Sequence, residues 1–142
     1  VLAEIALFAL AGKFKERIGP LTLLTAAALA GVIRWLLLAM LENHVALFVT
    51  QILHCFTFGA AHLGAMTFLS KTIPNDVFAT GQGIYYTLVG GVFSGCMLPV
   101  AGFLFTSMAG NAFYFMAILS AFALGGLYLL SRCSYQNLEN EH

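Results

Sequence analysis

The apolar residues of this chain fall in long runs separated by short polar stretches, with neither the strict alternation of a strand nor the narrow stripe of a surface helix. Five runs are legible, at about 1–11, 20–41, 45–69, 77–105 and 111–131. Runs of about 20 apolar residues are what a helix needs to cross the hydrocarbon core of a bilayer. They are too long for the ~10-residue alternating segments of an outer-membrane barrel. The expected architecture is therefore all-α: a polytopic transmembrane helix bundle. Pro20 opens the second run, at a helical position where its missing N–H does no harm. Pro99 lies inside the fourth run and predicts a kink. The stretch 132–142 reads as a cytoplasmic tail, whose polar part Tyr135 to His142 is expected to fray. Val1 already lies inside an apolar run, without Met or signal peptide, so the chain reads as the C-terminal piece of a longer protein.

The polar stretches alternate in charge. The first, 12–19, carries Lys13, Lys15 and Arg17; the second, 42–44, carries no Lys or Arg. The third, 70–76, carries Lys71; the fourth, 106–110, carries none; Arg132 follows the fifth run. The basic loop residues thus share one side, which the positive-inside rule assigns to the cytoplasm. The predicted location is a cell inner (plasma) membrane with a cytoplasmic C-terminus.

Composition agrees. Hydrophobic residues make up 61% of the chain and charged residues 8%, with a mean hydropathy of +0.91. A soluble domain carries about 25% charged residues, so soluble and disordered classes are excluded. Net charge is zero and no basic stretch points to nucleic acid. Cys55, Cys96 and Cys133 form no disulfide or metal pattern, and no cofactor is expected.

Against this background Arg34 stands out, as the single charged residue of the run 20–41. A guanidinium there is costly and cannot shed its proton, so it needs a partner. Arg34 falls roughly 5 Å outward of the midplane, and so does His54 on the next, antiparallel run. Glu4 is placed roughly 12 Å in from the cytoplasmic face. The third run puts Gln51, His54, Cys55, Phe58 and His62 on one helical face, with Thr57 at its edge. Such a polar stripe either lines a water-filled cavity or hydrogen-bonds neighbouring helices. His54 is a candidate proton carrier, because imidazole changes charge near neutral pH. Glu4 is a second candidate, and a simple ion pair or hydrogen-bonded pair holding helices together is the alternative for Arg34 and Glu4. In the fourth run, Gly81, Gly83, Gly90, Gly91, Gly95 and Gly102 predict close helix packing, while Gln82, Tyr85 and Tyr86 are candidates for lining a cavity. His54 and His62 are eight apart, without an H-x-x-x-H or H-E-x-x-H pattern. No Ser or Asp stands in a nucleophile arrangement, so an intramembrane enzyme is not expected.

The loop Gly12-Lys13-Phe14-Lys15-Glu16-Arg17-Ile18-Gly19, the ninth-helix-like Arg34 and the sequence Leu53-His54-Cys55-Phe56 together resemble the C-terminal half of a major facilitator superfamily transporter. Within it they are similar to the lactose permease and phenylpropionic acid permease branch. The loop is similar to the superfamily motif, with Gly12, Arg17 and Gly19 in place, Glu16 as its acid instead of the usual Asp, and Phe14 instead of the usual Leu. LHCFTFGAAHLGAM, Pro74 and ATGQGIYY look closer to the phenylpropionic acid type. The resemblance implies twelve helices in two halves, of which this chain holds the end of helix 8 and helices 9–12. It implies alternating access around a central cavity and proton-coupled symport of a small organic solute, with an aromatic carboxylate as candidate substrate. The expected partners are that solute, protons, the bilayer and the missing N-terminal half. Residues expected in substrate binding or coupling are Arg34, His54, Glu4, Gln51, Thr57, Phe58, His62 and Gln82. The lactose-type pattern is broken where Thr57 replaces a glutamate and Gln51 a lysine, so coupling would fall to Glu4, His54 or the missing half. The alternative is a non-transporting membrane protein of the same fold that binds or signals to partners.

Overall fold

The computed structural model describes residues 18–41 and 44–139. Its elements are α1 (Pro20–Met40), α2 (His44–Thr72), α3 (Phe78–Tyr86), a π-helical segment (Thr87–Phe93), α4 (Ser94–Met108), a 3₁₀ turn (Ala109–Asn111) and α5 (Ala112–Glu139). No strand occurs among the described residues. The chain is all-α, as the apolar runs require. Glu4, Gly12, Glu16 and Arg17 lie outside the described residues.

Among the described residues, three continuous helical runs are long and apolar enough to cross a membrane: Pro20–Met40, Leu47–Thr72 and Phe78–Arg132. The last spans 55 residues, far beyond the ~20 a single crossing needs. It breaks at Ala109, whose φ of 48° and ψ of −129° leave the helical region. Across that break the Phe105 and Phe113 rings stand 6.0 Å apart. Two crossings, rather than one, therefore account for its length.

Helix α1 is the centre of the bundle and packs along both α2 and α5. A Cβ added at Gly64 would lie 2.9 Å from Leu24 Cγ, and one added at Gly31 would lie 3.3 Å from Ser120 Oγ and 4.0 Å from Thr57 Cγ2. These contacts fix an antiparallel register of α1 with α2, and Gly31–Ser120 together with the Trp35–Phe113 stack does the same for α1 and α5. The two glycines let the backbones approach closely, which is how helices associate where lipid removes the hydrophobic drive. Burial follows the same logic. The buried apolar residues are Ala27, Ala60, Ala65, Ala112 and Ala117, while Phe48, Leu98, Phe103 and Phe122 are each about 70% exposed. Small residues fill the seams and large apolar ones point outward, the reverse of a water-soluble core.

Helix α3 starts beside the end of α2, where Gly81 sits against Ile73. It then diverges, and nothing in the described chain lies within 4 Å of a Cβ added at Gly83, Gly90, Gly91, Gly95 or Gly102. The close packing expected of these glycines is therefore not made within the described residues. The departure from α-helical bonding falls at Thr87–Phe93, upstream of Pro99, which lies within α4. Ser94 Oγ donates to the Val89 carbonyl, five residues back, at 2.9 Å. Helix α5 continues to Glu139, so residues 135–139, expected to fray, are helical.

Candidate functional site

The antiparallel register of α1 and α2 decides where the charged residue sits. Three residues on from Gly31 and three back from Thr57, Arg34 comes level with His54. Both line one open cleft of about 530 Å³, together with Gly31, Trp35, Thr57, Phe58 and Ser120 among others. Helix α1 supplies Arg34 and Trp35, α2 supplies His54, Thr57 and Phe58, and α5 supplies Ser120. The depth argument thus brings Arg34 and His54 to a shared site.

The guanidinium carbon of Arg34 lies 4.6 Å from the centroid of the Trp35 ring, within the range where a ring face attracts a cation. Trp35 is held in turn by Phe113, stacked at 5.8 Å. Arg34 Nε is buried without a hydrogen-bond partner among the described residues. No carboxylate is among the described residues lining the cleft. The positive charge is therefore oriented by an aromatic ring and, among the described residues, meets no acidic side chain in the cleft. The Thr57 hydroxyl, where a glutamate would stand in the lactose-type pattern, donates to the His54 carbonyl at 2.9 Å.

A second group of side chains continues toward the α2–α3 seam. Ring centroids of His54 and Phe58 lie 6.3 Å apart, those of Phe58 and His62 lie 6.4 Å apart and are near-parallel, and those of His62 and Tyr86 lie 6.0 Å apart. Tyr85 meets Tyr86 edge-on at 5.5 Å. Gln82 Nε2 donates to Met66 Sδ at 3.2 Å. So Phe58 belongs to both groups, whereas His62 and Gln82 stand in the second and outside the Arg34 cleft. Gln51 is exposed, and the Cys55 side chain lies outside the described residues.

Sequence reasoning missed Trp35, Ser120 and Met66. Trp35 had a signal, as the single tryptophan of the chain next to the single membrane charge. Ser120 and Met66 carried none, because only tertiary packing brings them in. Among the described residues no group of three His, Cys, Asp or Glu could hold a metal ion.

Comparison with known proteins bears on what such a site serves. The MFS_1 like family matches residues 1–117. A "Probable 3-phenylpropionic acid transporter" of Escherichia coli (strain K12) is 32% identical over 120 residues, covering 84% of this chain. The chain spans 31% of that relative's length. No solved structure matches.

Proposed function

This chain belongs to the MFS_1 like family, and we propose that it forms part of a membrane transporter that moves a small organic anion by proton-coupled symport. Family membership and the transporter relative favour transport over enzymatic chemistry. The observation that carries the anionic substrate is Arg34. It is a permanent cation set in a membrane-spanning helix, aimed by Trp35 into a cleft where no described carboxylate answers it. A buried charge demands compensation, and a carboxylate solute supplies it with paired hydrogen bonds to the guanidinium. An aromatic carboxylate fits best, given the rings of Trp35 and Phe58 in the same cleft and the 3-phenylpropionic acid for which the relative is named.

Alternating access places such a site near the midplane between two repeats, so the rest of the path comes from outside this chain, in an N-terminal half of the same protein. His54, level with Arg34, is the candidate proton carrier within the described residues, and Glu4 is the other candidate, outside them. Lys71 and Arg132 lie at the end of the bundle where α1 begins, which supports a cytoplasmic C-terminus in an inner membrane.

The test is uptake of 3-phenylpropionate by vesicles carrying the full-length protein under an imposed proton gradient. Arg34→Gln is expected to abolish accumulation, and Arg34→Lys to retain only a fraction, because an ammonium lacks the planar fork. Undiminished proton-driven accumulation by Arg34→Gln would sink the assignment. Binding without any translocation by the wild type would favour the non-transporting alternative.

A further inference from the structure

The rings that run from Phe58 to Tyr86 form a series left open on one side by the described helices. Phe58 is 56% exposed and Tyr86 49% exposed, and α3 diverges from α2 immediately beyond Tyr86, where the π-helical segment begins. This face does not suit contact with lipid. It carries the His62 imidazole, the Gln82 amide and the Tyr86 hydroxyl, and the amide and the hydroxyl both turn to Met66 Sδ, at 3.2 and 4.0 Å. Polar side chains within membrane helices face the bundle interior or a water-filled cavity.

We propose that Phe58, His62 and Tyr86, backed by Met66, Gln82 and Tyr85, form a subsite for the aromatic ring of the transported solute, distinct from the Arg34 cleft that takes its charge. The spacing of the rings supports this. Successive centroids lie 5.5–6.4 Å apart, within the 4.5–7 Å range over which rings attract one another by offset or edge-on contact. A guest ring can therefore join the series at its open side, stacking on Phe58 or meeting Tyr86 edge-on. Met66 contributes a polarisable sulfur of the kind that adapts to a ring edge. Its Gln82 contact holds α3 to α2 at the one level where Tyr86 reaches His62. Phe58 also lines the Arg34 cleft, so the two subsites share a wall and one solute can span both. The assignment rests on the anionic-solute reading above, and it adds which residues select the solute's apolar end.

The discriminating probe is a pair of acids equal in charge and similar in shape, 3-phenylpropionate and its saturated-ring analogue 3-cyclohexylpropionate, competed for uptake by the full-length protein in vesicles. The wild type should favour the phenyl acid by roughly two- to tenfold, the value of one or two good ring contacts. Tyr86→Leu and Phe58→Leu should bring that ratio close to one, whatever their absolute uptake, because both acids pass through the same variant. Tyr86→Phe should keep the preference, which guards against a variant that merely folds poorly. A wild-type preference unchanged in both leucine variants overturns the ring subsite and leaves the transport reading standing. If neither acid is taken up or bound, the carboxylate reading fails, and the neutral pair 3-phenylpropanol and 3-cyclohexylpropanol then decides the subsite by binding. A phenyl preference lost in Tyr86→Leu would support it, and no preference would overturn it.

Discussion

Arg34 and Trp35 are neighbours in sequence, yet their side chains meet, with the guanidinium carbon 4.6 Å from the ring centroid. A cation over an indole face is worth about 0.5–2 kcal/mol, the upper end applying where water is excluded. Trp35 also stacks on Phe113, so a single substitution mixes the two contacts. Thermal unfolding of the full-length protein in detergent should show Trp35→Leu as destabilising. The same change should cost about 0.5–2 kcal/mol less in an Arg34→Gln background, a coupling that a double-mutant cycle isolates. Equal costs in both backgrounds would mean that the ring merely packs. At this scale the sequence was readable in proportion to how unusual each residue was. A charge in an apolar run announces itself, and its depth follows from counting at 1.5 Å per residue. Ser120 could not be found that way, since a serine in a membrane helix costs little and has many uses.

The helices themselves were legible because hydropathy in lipid acts on whole segments, and that scale is coarse enough to read from one sequence. Their finer geometry was not. Thr87–Phe93 contains Gly90 and Gly91, which permit unusual backbone bonding but do not dictate it, so the proline drew the expectation of a kink instead. The end of α5 was hidden for a different reason. Polar residues such as Arg132 and Gln136 end an apolar run but are good helix formers, and hydropathy does not see the difference. The glycines split two ways. Gly31 and Gly64 make the seams of α1, whereas those at 83–102 have no neighbour within 4 Å in the described chain. Gly64→Val should therefore lower the thermal stability of the full-length protein by about 1–3 kcal/mol, as overpacking does. Leu24→Ala should recover part of the loss, because Leu24 Cγ is the nearest atom to the new Cβ. Failure of Leu24→Ala to rescue would mean that the seam is not at this contact.

Among the described residues, three helices stand in tight register, α2–α1–α5, with a further membrane-spanning piece, α3 to α4, attached at its two ends. Its beginning touches α2 through Met66, Gln82 and Tyr86, and its end approaches Trp35 and Phe113 through Leu98 to Phe105. The proposed orientation of the whole rests on Lys71 and Arg132 at one end and uncharged Thr106 to Gly110 at the other. Cysteines introduced at Asp76 and at Gly110 in the full-length protein should react with a membrane-impermeant maleimide from opposite sides, Asp76→Cys from the cytoplasmic side. The reverse pattern, or labelling of both from one side, would invert or dismantle the proposed topology. What the sequence could not supply at this scale was the divergence of α3 and α4 from their neighbours, because hydropathy reports that a segment enters lipid and says nothing of what stands beside it.

The π-helical segment has a further consequence for how this protein tolerates change in length. Each i→i+5 bond takes up one residue more than the α-helical i→i+4 bond, and one residue amounts to a turn of about 100°. Thr87–Phe93 therefore sets the rotational phase between α3 and α4. Losing one residue there would restore plain α-helix and swing one part against the other by about that angle. Either Tyr86 would leave His62, or Phe105 would leave Phe113. Every residue on both sides would keep its identity, and the helix would keep its hydropathy, yet the two ends could no longer be seated together. Homologous chains that lack one residue in this stretch should consequently carry a compensating insertion before Leu98, or a different set of residues where Met66 and Gln82 now meet.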